Sequence, residues 1–385
     1  MIKNIFDKLS DIEEQRQNEI AQQKKEGVPL VVYNSTFVPE EIIRAAGANT
    51  YLLCRGGESA PAAAAINDTL ECINPLARAS VSYITGKMDS IASQADLVVT
   101  AFSDSHMSRM SELLEYKGIN VFKVGVPVDW QRSISFDYYL NSLRTMQRRV
   151  EELTGKKTDM ELARENFAHS NRIKACSRRI KELRKADRIP LRLEDVVRLH
   201  HMGFLFNTAE AVDTLEAYVD ELGNAPSLFD KDAPRLLMIM RAVPAGDYSL
   251  LKLIDETGCP VVAEVLDECA CVSDSDVELE GDLLQNFARS RYSLALPLNS
   301  FQPSWKIRYA RICELISEYR ISGVIWYQLA FDEIYDMEYT CVSKWLGEKG
   351  MPVLKIETDF DYSQDKLTAK RNQINSFINR IKKGK

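Results

Sequence analysis

Apolar residues in this chain fall into two patterns that alternate along its length. Short, nearly unbroken apolar runs lie at 29–33 (Pro29-Leu30-Val31-Val32-Tyr33), 50–54, 95–101 (around Leu97-Val98-Val99) and 120–124. Between them, apolar residues recur every three or four positions. An unbroken run fits a strand buried on both faces, and the longer period fits a helix with one buried stripe. The first third of the chain is therefore predicted to be a parallel sheet covered by helices on both sides. Local signals mark the helix ends. Pro39-Glu40-Glu41 opens a helix, because proline suits the first turn and acids suit the positive end of the helix dipole, and Gly47 stops it. Asp104 and Ser105 read as capping residues for a helix over 107–117.

The stretch 136–224 is almost wholly helical in pattern, with Leu143, Met146, Val150 and Leu153 spaced among arginine, lysine and glutamate. Its basic run 172–188 is either a phosphate-binding surface or a solvated helix face. The last third repeats the opening pattern. Strands are predicted at 235–240, 260–265, 323–329 and 352–356, and helices at 247–257 and 305–320. The predicted fold is α/β: two Rossmann/flavodoxin-like parallel-sheet domains joined by a helical segment, with boundaries at 1–135, 136–225 and 226–385. Ligands of such sheets bind beyond the carboxyl ends of the strands, so a cleft between the two domains is the expected site.

Composition narrows the function classes. The 385 residues are 45% hydrophobic and 27% charged with a formal charge of −7. Lysine and arginine are scattered, so no basic stripe marks a nucleic-acid track. No apolar run approaches the ~20 residues needed to cross a bilayer. The opening stretch 1–23 is a charged helical pattern without the apolar segment of a signal peptide, and a cytoplasmic location is expected. Eight cysteines are too few and too dispersed for a secreted disulfide scaffold, and the only close pair is Cys269 and Cys271. Cys176 and Cys313 sit in helical patterns, where free cysteine is usually buried and inert. Sequence signatures of phosphate loops, dinucleotide folds, serine-hydrolase elbows and zinc proteases are missing.

Four segments in order carry a resemblance. They are Thr36-Phe37-Val38-Pro39-Glu40-Glu41-Ile42-Ile43 with Ala45-Ala46-Gly47; Cys72 followed by Pro75-Leu76-Ala77-Arg78-Ala79-Ser80; Gly323-Val324-Ile325 followed by an aspartate- and tyrosine-rich turn; and residues 350–359, ending Glu357-Thr358-Asp359. Together they resemble the 2-hydroxyacyl-CoA dehydratase / benzoyl-CoA reductase subunit family along essentially the whole chain. The resemblance implies paired subunits, hetero- or homodimeric. It also implies a [4Fe-4S] cluster held by three cysteines in the interdomain cleft, an acyl-CoA thioester substrate and an ATP-dependent activator that delivers a low-potential electron for radical chemistry. Thiolates suit such iron, and an open iron position can contact a carbonyl oxygen.

The ligand set implied by the family is depleted here. Its first cysteine falls on Cys72. Its second falls at Ser103, where the family places cysteine before aspartate. Its third falls in the window Ala330-Phe331-Asp332, which has none. Cys269 and Cys271 follow a predicted strand and are expected to supply the missing thiolates beside Cys72, or else to be ordinary loop residues. A partner chain carrying an intact cluster is the other arrangement. Ser35 and Glu58 are the acid–base candidates and Arg78 the candidate for a CoA phosphate, with capping, a solvated loop acid and a surface ion pair as their structural alternatives. His106 is expected at the surface, and His200-His201 to be structural. Three functions remain open: a subunit of an iron–sulfur enzyme that dehydrates or reduces an acyl-CoA by radical chemistry, a non-catalytic companion of a cluster-bearing paralogue, or a small-molecule or metal-binding protein of the same fold.

Overall fold

The apolar runs pair as parallel strands in the computed structural model, which describes residues 2–69, 72–206, 208–269 and 274–383. Strands β1 (Leu30–Tyr33), β2 (Asn49–Leu52), β3 (Leu97–Phe102) and β4 (Val121–Gly125) form one sheet in the order β2-β1-β3-β4. Strands β5 (Leu236–Val243), β6 (Val261–Cys269), β7 (Gly323–Leu329) and β8 (Val353–Thr358) form a second in the order β6-β5-β7-β8. Every pairing is parallel. β1, β5 and β7 are buried at every residue, as strands covered on both faces must be. The fold is thus α/β with two parallel-sheet domains. In each sheet the chain order reverses beside the first strand, and the carboxyl ends there are where such folds bind ligands.

The cores do not follow the order of the chain. Val32 and Val98 of the first sheet share one apolar cluster with Met238, Met240 and Tyr327 of the second. The other face of the first sheet, with Val31, Tyr33 and Val99, is covered partly by Val277, Leu283, Phe287, Tyr292 and Phe301 from the second half. Helices Ile2–Lys25, Met160–Lys185, Leu193–Gly203 and Ala209–Asn224 pack around Leu9, Ile180, Leu199 and Leu215. The amino-terminal helix therefore bridges the helical segment, through Leu9, and the first sheet, through Ile20 in the cluster of Leu30 and Val32 and through Arg16–Asn49 (3.0 Å). The basic run in this segment forms surface ion pairs such as Arg178–Asp276, but Arg184 is buried 2.6 Å from Glu264, so its helix face is only partly solvated. Among the described residues no helix is long and apolar enough to cross a membrane.

A tight seam joins the two sheets. Ala245 N–H donates to Cys54 O (2.7 Å) and Gly56 N–H to Ala245 O (3.0 Å), with Arg55 and Ala245 forming a parallel bridge. A disulfide between Cys54 and Cys269 crosses the seam, with a Cα–Cα distance of 5.5 Å. At another place Gln302 N–H donates to Val128 O at 2.7 Å.

Asp247 is buried in the seam and accepts hydrogen bonds from the hydroxyls of Tyr327 and Tyr362. Burial raises its carboxyl from 3.8 to about 6, against the lowering effect of the two phenols. Between these two values the folded chain holds a proton that the unfolded chain has lost. This group's contribution to stability therefore falls as pH rises through that window and stays low above it. Asp247→Asn removes the titration. Relative to that variant, the wild-type thermal midpoint is expected to drop between about pH 4 and 7; a constant difference would show that Asp247 does not titrate there.

Candidate functional site

The carboxyl ends of the two sheets meet at an interdomain crevice that buried polar side chains from both sheets fill. Ser35 follows β1 directly after Asn34 and is buried; its hydroxyl lies 3.0 and 3.3 Å from the two carboxylate oxygens of Glu268, to which it donates. Glu268 is buried near the end of β6. Burial pushes its carboxyl above the ordinary glutamate range, while Arg291, Arg241 and the Ser35 hydroxyl pull it down. A serine that follows a strand of one sheet thus holds an acid of the other whose proton affinity is raised by burial.

Beside this pair, Arg241 of β5 bridges the sheets. Its guanidinium donates to Asp104, just past β3, and at 3.1 Å to Asp332, just past β7. Both aspartates are also N-caps: Asp104 accepts from Met107 N–H (2.9 Å) and Asp332 from Tyr335 N–H (3.2 Å). One buried cation therefore ties together the starts of two helices from different sheets. Burial raises the Asp332 carboxyl and Arg241 opposes it.

The rim continues the network. Asn74 caps helix Pro75–Thr85 by accepting from Ala77 N–H (2.8 Å), and its own N–H donates to His106 Nδ1 at 3.4 Å. His106 Nε2 lies 3.6 Å from the Glu333 carboxylate. His106 is accordingly buried, not a surface residue, because the Asn74 turn and the start of the Glu333–Glu348 helix cover it. Ser103 is buried, with its carbonyl accepting from Ser300 Oγ (3.0 Å). Phe331 is 41% exposed and left-handed at φ +66°, a conformation costly to a bulky residue and concentrated at functional sites. The segments around positions 72, 103 and 330–332, far apart in sequence, are linked on one rim through Asn74–His106–Glu333 and Asp104–Arg241–Asp332.

The other sequence candidates lie as follows. Cys72 is exposed. Glu58 faces solvent, 3.5 Å from Arg55. Arg78 is buried in helix Pro75–Thr85, not at the surface; it makes no ion pair among the described residues, and its Nε lacks a partner. Cys269 is buried and left-handed at φ +62°, its sulfur joined to Cys54, while Cys271 lies outside the described residues. His200 bonds Ser177 (3.2 Å), and His201 bonds Tyr248 (2.9 Å) and Val243 O (2.8 Å), consistent with structural roles.

These donors do not fit a cluster held by three thiolates of this chain. Cys269 is paired with Cys54, Ser103 offers a hydroxyl, and Asp332 is engaged by Arg241 and Tyr335. Among the described residues no three histidine, cysteine or acidic side chains converge as a metal site. Sequence reasoning missed Glu268 and Arg241 as site residues. Their signal was present: each is a charged residue near the end of an apolar strand, where a parallel sheet places its ligand-binding groups.

Residues 35–381 match the family described as 2-hydroxyglutaryl-CoA dehydratase, D-component. The Escherichia coli (strain K12) protein YjiM, provisionally described as a dehydratase subunit, is 24% identical over 366 residues, which cover 93% of this chain and 94% of YjiM. With a match running from the crevice serine into the last helix, the chain belongs to the 2-hydroxyglutaryl-CoA dehydratase D-component family.

Proposed function

We propose that this chain is a dehydratase-type subunit whose crevice binds an acyl thioester of the 2-hydroxyacyl-CoA class and handles the proton of its dehydration. The carrying observation is the buried Ser35–Glu268 pair across the two domains. Loss of water from such a substrate breaks a C–H and a C–O bond, so one group must accept a proton and the leaving hydroxyl must receive one. Glu268, with its raised proton affinity, serves as acceptor and donor, and Ser35 orients it. Arg78, a buried cation without a carboxylate among the described residues, supports an anion site beside the crevice for a CoA phosphate. The depleted thiolates favour a paralogous partner subunit, served by an ATP-dependent activator, as the bearer of any [4Fe-4S] cluster.

The test is anaerobic purification with any co-purifying subunit, followed by iron and sulfide analysis, acyl-CoA titration and a dehydration assay. The isolated chain is expected to bind acyl-CoA and to hold far less than stoichiometric iron. Glu268→Gln is expected to slow dehydration by the assembled enzyme by about 100-fold or more, with thioester affinity nearly unchanged. Full activity of that variant would instead make this chain a non-catalytic companion. Absence of acyl-CoA binding would remove the substrate assignment.

A further inference from the structure

A pocket of about 90 Å³ lies between Tyr33 at the end of β1, Thr36 just after it, helices Glu40–Ala45 and Met160–Lys185, and Arg291. Its wall holds two cations that bond to neutral oxygens. Arg291, 6% exposed, donates to Thr36 Oγ1 (3.0 Å) and Asp267 O (3.3 Å) and lies 3.9 Å over the Phe37 ring. Lys174 donates to Ser275 O at 3.2 Å, and burial weakens its hold on its proton. Neither forms an ion pair among the described residues; Lys174 is half-buried, while Arg291 is buried, where charges are ordinarily paired.

Two polar atoms on residues that line this space also lack partners. The Tyr33 hydroxyl belongs to a side chain 1% exposed and has no hydrogen bond, and neither has His200 Nδ1. Burial lowers His200 to about 4, so near neutrality it is an uncharged ring able to present N–H or a lone pair at Nδ1. The wall's acids are already engaged. Glu40 pairs with Arg44 (2.9 Å), and Glu41 accepts from Ser170 (2.6 Å), with burial raising its carboxyl. The groups here without a direct ionic contact are thus Arg291, with Glu268 only as a neighbouring charge, and Lys174, with Glu41 and Asp276 likewise, together with a phenol donor and a neutral imidazole.

We propose that this cavity binds a small carboxylate. The volume matches about three waters, or an acid of about two or three carbons. One negative charge answers the Arg291–Lys174 pair, and a carboxylate oxygen accepts from the Tyr33 hydroxyl. The site is separate from the proposed dehydration, and its test reads binding, not turnover.

Isothermal titration of the intact protein with acetate, propionate and lactate, against phosphate and chloride at matched ionic strength, tests the assignment. Saturable binding of a carboxylate is expected at millimolar concentration or below. Tyr33→Phe keeps the shape and removes only the orphaned hydroxyl. In carboxylate-free buffer it is expected to melt at the wild-type temperature or higher, and to bind carboxylate about tenfold more weakly. Lys174→Met is expected to weaken binding by at least as much. The proposal is overturned if no carboxylate binds or if phosphate binds as tightly. It is equally overturned if Tyr33→Phe lowers the melting temperature and leaves binding unchanged, the result expected of ordered water alone.

Discussion

Arg308→Met is expected to destabilise the fold by about 3–5 kcal/mol. Arg308 is 0% exposed, and all three of its guanidinium nitrogens are hydrogen-bonded. Nε donates to Glu338 (2.6 Å), one terminal nitrogen to Asp267 (2.7 Å) and Pro297 O (3.0 Å), and the other to Tyr335 Oη (3.4 Å), whose hydroxyl donates to Asp267 at 3.0 Å. Methionine fills much of the same space but leaves two buried carboxylates without a cation. Removing one partner of a buried pair costs far more than replacing the whole set by neutral groups, because the stranded charge keeps its desolvation penalty. Adding Asp267→Asn and Glu338→Gln to Arg308→Met should therefore recover at least half of the loss. Denaturant melts of the three proteins measure both quantities. A single-variant loss below about 1 kcal/mol would show that the carboxylates find water or a proton at little cost. Asp267 precedes Glu268, so this network also fixes the strand end that carries the proposed acid.

Gly57→Ala is the second large effect, and it acts through the backbone. Gly57 has φ +85°, where an L side chain is strained by about 1–2 kcal/mol. Its Cβ would also lie 2.7 Å from both Asp247 Cα and Gly246 O. Those atoms are backbone of the other domain and cannot rotate aside. The expected total is about 2–5 kcal/mol, strain and overpacking together. The loss should be local to the seam: in reduced protein the variant is expected to expose Cys54 and Cys269 to thiol reagents many times faster than wild type. Unchanged labelling with a lowered melting temperature would place the damage elsewhere.

Much of the architecture was legible because its signals are local. Leu30-Val31-Val32-Tyr33 can be little other than a doubly covered strand, and Asp104 before Ser105 and Met107 reads as the cap it is. β6 runs four residues past its expected end at Val265, because Leu266-Asp267-Glu268-Cys269 is strand held by β5 and by long-range polar partners that no local window contains. The site was legible in part for the same reason. Ser35 and Ser103 could be named from their places after strands, and the window 330–332 singled out, though not for Asp332. The partners that give them meaning, Glu268 for Ser35 and Arg241 for Asp104 and Asp332, lie 233, 137 and 91 residues away. The Cys54–Cys269 pairing was invisible likewise, since only the meeting of two sheets brings those sulfurs together.

The covering of the first sheet by Val277–Phe301 residues reaches back to how the chain is made. During synthesis Val31, Tyr33 and Val99 leave the ribosome long before Phe287, Tyr292 and Phe301 exist to shield them. The amino-terminal third must wait with greasy surface showing, or borrow a chaperone's, until the later segment arrives. Maturation is therefore not a matter of one half finishing and then the other; the last piece of the first half is written near the end of the message.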